Sequence, residues 1–173
     1  MIPSEVRSMR KAIWDSMLDA DMNVRYWAEL GRRYYKKDIR YKIFLAAMSS
    51  GTVASWSIWS EVQVLWKILS AISALVAIAL PILNWPKMIQ SMGNVKQKWV
   101  DIKADCEILW VEVNSKKDQA VLKEEFKKIK KREATASQQE TNLPKKDKLV
   151  DECCEEVLES RGLKSKQKGG ILL

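Results

Sequence analysis

The run RRYYKKDIRYK, residues 32–42, is where residue type and spacing point most directly to chemistry. Arg32, Arg33, Lys36, Lys37, Arg40 and Lys42 supply cations on neighbouring turns of any helix formed there, with tyrosines between them. Such cations bind phosphate oxygens and tyrosine rings settle where water meets a less polar phase, so the composition fits anionic lipid headgroups. Phosphate contact combined with base stacking would also suit RNA. The run stands immediately before a long apolar stretch, however, which favours lipid and disfavours direct nucleic-acid binding.

Hardware for catalysis is sparse. The chain has no histidine, which removes the usual general base, the hydrolase triad and most catalytic zinc sites. Its six glycines, Gly31, Gly51, Gly93, Gly162, Gly169 and Gly170, are too scattered for a dinucleotide fingerprint or a phosphate loop. Of three cysteines, Cys153 and Cys154 are adjacent and Cys106 is alone, so a disulfide framework is not expected and a reducing compartment fits best. The carboxylates Asp101 and Asp105 have the spacing of ordinary solvated charge on a helix. We expect no enzyme, no cofactor and no metal.

The elements that must position the basic run follow from charge distribution. Lys and Arg total 30 against 22 Asp and Glu, yet residues 43–86 hold only Glu61 and Lys67. Residues 43–60 are eighteen without a formal charge, and residues 68–86 are nineteen more. As helices they would rise about 27 and 28 Å, close to the thickness of a bilayer's hydrocarbon core of about 30 Å. The expected fold class is therefore an all-α membrane protein: a two-span transmembrane hairpin over 43–86 with long cytoplasmic amphipathic helices. Basic flanks on both sides of the hairpin and a loop offering only Lys67 place both termini in the cytoplasm. Tyr34, Tyr35, Tyr41 and Trp85 fall at one expected interface, and Trp56, Trp59 and Trp66 at the other. Within the spans, Ala47, Gly51 and Ser55, and then Ser70, Ser73, Ala74 and Ala77, form lines of small residues that allow close helix packing. Ser49, Thr52 and Trp56 form a mildly polar stripe, the candidate pore lining.

Outside the hairpin the chain reads as helical arms. Residues 1–42 form an amphipathic arm with a seam of Val6, Met9, Ile13, Met17, Ala20, Val24, Trp27 and Leu30. Residues 87–133 carry a heptad seam through Met92, Val95, Trp99, Ile102, Cys106, Leu109 and Val113, expected to support a homo-oligomeric coiled coil. That seam loses register where Lys116 takes the next apolar slot, but no Pro or Gly interrupts 94–133, so one long helix is expected. Residues 134–148 are polar, contain Pro144 and read as a flexible linker. Residues 149–173 contain a short amphipathic helix, N-capped by Asp147 and C-capped by Gly162, then a frayed basic tail.

This order of elements resembles the SLATT family of two-span bacterial membrane proteins over residues 23–132, including RYWAELGRRYYKKDIRYKIFLAAMSSGTVASW and LWKILSAISALVAIALPIL. It is also similar to the small pore-forming membrane accessory proteins of RNA-targeting CRISPR loci. The resemblance implies a homo-oligomeric pore-forming or membrane-disrupting effector in anti-phage defence. It would be a multi-pass protein of the bacterial inner membrane, activated by a cytosolic partner sensor from the same operon. The alternative is a non-conducting membrane adaptor or scaffold that recruits a cytosolic partner through its helical arms.

Overall fold

Apolar residues at steps of three and four run through the whole N-terminal arm, and the chain there is one helix, α1 (Ser4–Ser49), of 46 residues. The computed structural model describes residues 4–49, 68, 71–79, 84–113 and 118–163. Three further helices follow: α2 (Trp85–Glu112), α3 (Gln119–Glu140) and α4 (Asp147–Ser160). Residues 71–79 are also helical. The chain divides into two units, Met1–Leu30 with Met92–Leu173, and Gly31–Ser91.

In the first unit four helices share one core. Ile13, Met17, Ala20, Trp27 and Leu30 of α1 are buried, as are Met92, Val95, Trp99, Ile102, Cys106 and Leu109 of α2 and Val113 just beyond it. Leu122, Ile129 and Ala136 of α3, at steps of seven, and Leu149, Cys153 and Val157 of α4, at steps of four, are buried as well. Burying such side chains stabilises by about 25 cal/mol per Å² of apolar surface removed from water. All seven side chains expected to form an oligomeric seam are thus covered within a single chain.

The single long helix expected over 94–133 is two helices. α2 ends at Glu112, and Asp118 starts α3 by accepting the Ala120 backbone N–H at 3.0 Å. A carboxylate at that position satisfies one of the N–H groups that open a helix, and it also favours the positive end of the helix dipole. α3 then runs to Glu140, through the first half of the stretch read as a linker. α4 begins at Asp147, with Lys146 rather than Asp147 in the cap position. Its other end closes as the sequence indicates: Gly162 takes φ +67°, with Leu163 N–H bonded to Leu158 C=O at 2.8 Å and Gly162 N–H to Glu159 C=O at 3.0 Å. This double bond requires a left-handed residue, which glycine adopts without a Cβ clash.

In the second unit, Asp38 is buried and takes Lys42 Nζ at 2.6 Å, one turn along α1. The rings of Tyr41 and Trp85, expected together at one membrane face, meet at 5.0 Å between centroids with a 56° tilt. Here the expected fold class is corrected. No helix among the described residues is long and apolar enough to cross a membrane. The first apolar stretch enters as the continuation of α1, whose last turns before it carry Arg32 to Lys42, and the helical stretch 71–79 is about 13 Å long by its rise per residue. The two-span transmembrane hairpin, the multi-pass inner-membrane placement and the pore-forming character built on them are not supported; the described residues form helices and the turns that join them. The remainder of the expected spans, including Gly51, Thr52, Ser55, Trp56 and Ser70, lies outside the described residues.

Core packing gives a direct test. Ile102→Ala should lower unfolding free energy by about 2–5 kcal/mol through lost contact and residual cavity. Ile108→Ala, on the exposed side of α2, should change it by less than about 0.5 kcal/mol. Urea denaturation of both variants followed by circular dichroism would check the contrast.

Candidate functional site

The polar groups of the four-helix unit gather on two carboxylates. Glu140, the last residue of α3, accepts the indole N–H of Trp27 from α1 at 3.0 Å and that of Trp99 from α2 at 2.6 Å, both on Oε1. Each indole has only this one donor, and both rings are buried, so the carboxylate satisfies two groups that would otherwise lose water without replacement. Three helices are tied together at one oxygen atom.

Asp21 is the second hub. Its buried carboxylate takes Lys103 Nζ from α2 at 3.0 Å, Arg25 Nε at 3.4 Å and Arg161 Nη2, just past α4, at 3.3 Å. Burial by itself would raise this carboxyl's pKa. The Lys103 hydrogen bond and charge, then the Arg25 charge and the Arg161 hydrogen bond, outweigh it and hold the group below the ordinary carboxylate range. The direction matters chemically, because a carboxylate that exchanges protons near neutrality needs a raised value. Asp21 is therefore fixed as an anion that holds α4 against α1 and α2. Arg25 reinforces this by donating to Ser160 Oγ at 3.1 Å.

Around Arg161 the contacts continue as a stack. Its guanidinium lies 5.9 Å from the Trp14 ring, Trp14 meets Trp110 at 5.3 Å, and Arg10 lies 5.3 Å over Trp110. The connection between α3 and α4 is pinned separately, with Lys146 N–H donating to Tyr26 Oη at 3.0 Å. Asp105 pairs with Arg132, and Asp101 accepts from Gln97 at 3.0 Å, so both carboxylates set aside as surface charge have partners. Burial pushes the Cys106 thiol up to about 12, with the Glu133 carboxylate adding to it. Burial also raises Cys153 and Cys154, aided by Glu156 and Asp151 respectively. A thiol held protonated is a poor nucleophile. Among the described residues no group of three or more Cys, Asp or Glu could hold a metal ion.

The residues singled out from sequence separate cleanly. Arg32, Lys36, Lys37, Arg40 and Lys42 are exposed along α1 and Arg33 is half-buried. Ala47, Ala74 and Ala77 are exposed and Ser73 is half-buried. Ser49 is the last residue of α1. Asp21, Lys103, Glu140 and Arg161 were missed. A signal for one of them exists in the α3 series Leu122, Phe126, Ile129, Glu133, Ala136 and Glu140, which puts Glu140 in an apolar slot where the buried indole donors meet it.

No protein-family model, curated protein or solved structure matches this chain. The SLATT resemblance accordingly rests on the residue pattern alone.

Two outcomes follow. Glu140→Ala should cost about 2 kcal/mol or more by orphaning two indoles, while Glu140→Gln, which keeps an acceptor, should recover part of it; urea denaturation read by tryptophan fluorescence would measure both. Asp21 has a lowered folded-state value, so its contribution is fully present above the unfolded carboxyl value of about 3.9 and fades as pH falls through the lower folded one. Asp21→Asn should therefore destabilise at pH 7 and flatten the stability curve below pH 4, as measured by denaturation across pH 2–7.

Proposed function

We propose that this chain is a non-catalytic helical scaffold that assembles with copies of itself and receives a protein partner on its four-helix unit. One observation carries the reading: Ile68, Ile72, Leu75 and Ile78 are 55, 45, 68 and 65 % exposed. They recur at steps of four, three and three, the spacing of one helical face, and residues 71–79 contain no charge at all. A contiguous aliphatic surface in water is unfavourable and marks a place where another surface docks. Self-association through this stretch replaces the heptad seam, whose side chains are consumed in the chain's own core.

Partner binding is supported by a groove of about 810 Å³ in the four-helix unit, lined by Val6, Met9 and Ala12 of α1 and by Leu122, Lys123 and Phe126 of α3, with Val113 at its edge. Its lining is mostly apolar and includes the polar residues Glu5, Ser8, Gln119 and Lys123, a composition that accepts one face of an amphipathic helix. The two clamps at Asp21 and Glu140 keep α1, α2 and α3 in register, so the groove is held in shape before a partner arrives.

Sedimentation velocity in detergent-free buffer tests the assembly. The wild-type chain should sediment as concentration-dependent oligomers, and the pair Leu75→Asp with Ile78→Asp should shift it to monomer with its thermal midpoint unchanged. A wild-type chain that stays monomeric at every concentration, or a variant of unaltered size, overturns the proposal.

A further inference from the structure

The surface of α1 between residues 32 and 43 has a composition that self-assembly does not explain. Along α1, Tyr35, Ile39 and Ile43 follow one another at steps of four and are 54, 36 and 63 % exposed. Arg32, Lys36 and Arg40 repeat with the same step and are exposed as well. At 100° per residue the apolar series covers about an 80° arc, with Lys36 and Arg40 bordering it on one side and Lys42 on the other, while Arg32, a turn earlier, falls within the arc. Over residues 31–49 the only acid is Asp38, which is buried and held by Lys42.

We infer that this face of α1 lies along an anionic lipid surface, with Tyr35, Ile39 and Ile43 entering the headgroup and acyl boundary and Arg32, Lys36 and Arg40 pairing with lipid phosphates. The contact is peripheral: the helix rests in the interface plane and nothing crosses. Three candidate occupants are separated by the residues themselves. A second copy would bring the same excess of cations against this one, and like charges at that density repel. A nucleic acid would satisfy the cations and stack on Tyr35, but Ile39 and Ile43 would gain nothing from phosphates or base edges. An anionic bilayer rewards both series at once, since aliphatic side chains partition below the headgroups and each cation near the surface adds attraction. The inference goes beyond the scaffold reading and uses different residues, so either can fail without the other.

The test is co-flotation of the full chain with vesicles of phosphatidylcholine alone and of phosphatidylcholine containing 30 mol % phosphatidylglycerol, with fluorescently labelled polyuridylate as a separate arm. Anionic vesicles should be bound in preference to neutral ones, with binding falling steeply between 0.05 and 0.5 M salt as the charges are screened. The triple change Arg32→Gln, Lys36→Gln and Arg40→Gln should weaken partitioning roughly a hundredfold. Ile39→Ser with Ile43→Ser should weaken binding to anionic vesicles while leaving its salt dependence in place. All of these side chains are exposed or at the edge of exposure, and circular dichroism of each variant should match the parent. Equal binding to neutral vesicles, unchanged binding by the triple variant, or binding of polyuridylate without binding of vesicles overturns the inference. Loss of vesicle binding in Leu75→Asp with Ile78→Asp alone would assign the lipid contact to the other stretch and overturn it too.

Discussion

One oxygen atom, Glu140 Oε1, accepts from two buried indoles on two different helices, and the arrangement of the four-helix unit depends on it. Without that acceptor, Trp27 and Trp99 could not both be buried at the meeting of α1 and α2, because each would carry an unpaired N–H into an apolar setting. With it, the end of α3 is fixed at one point along both partners. The Asp21 hub works on α4 in the same way, gathering charge from three directions onto one anion. Apolar packing supplies most of the favourable free energy, while these two carboxylates choose which helix faces which.

Much of the helical pattern was legible in the sequence. The α2 seam from Met92 to Val113 is buried residue for residue, and the loss of register read at Lys116 falls in sequence between the end of α2 at Glu112 and the new start at Asp118. The cap at Gly162 follows from a glycine placed just past the last periodic residue. The extent of α3 was not legible, because residues 134–140 are polar in composition and only Ala136 and Glu140 face inward along that stretch. The Asp21 hub was invisible for a similar reason, and Glu140 showed only as a carboxylate in an apolar slot of the α3 series. A charged residue read one at a time belongs on the surface, and only the meeting of three helices turns Asp21 and Glu140 inward.

Reading apolar length as membrane crossing failed for a related physical reason. A window that begins at Ile43 counts eighteen uncharged residues, whereas the chain forms one helix from Ser4 to Ser49 that includes the cations up to Lys42. Charge at the end of such a helix restricts how deeply it can enter a nonpolar phase, and it is the folded element, rather than the window, that meets the solvent.

Tyr26 has a consequence for how copies of this chain can combine. By holding the Lys146 amide, it keeps the short crossing from α3 to α4 folded back on its own α1. An unclamped crossing of that kind can open, letting α4 of one molecule settle in the groove of another and knit chains into interlocked dimers or open-ended strings. Anchored as it is, α4 completes its own core, and contacts between molecules are confined to surfaces that remain after each has folded.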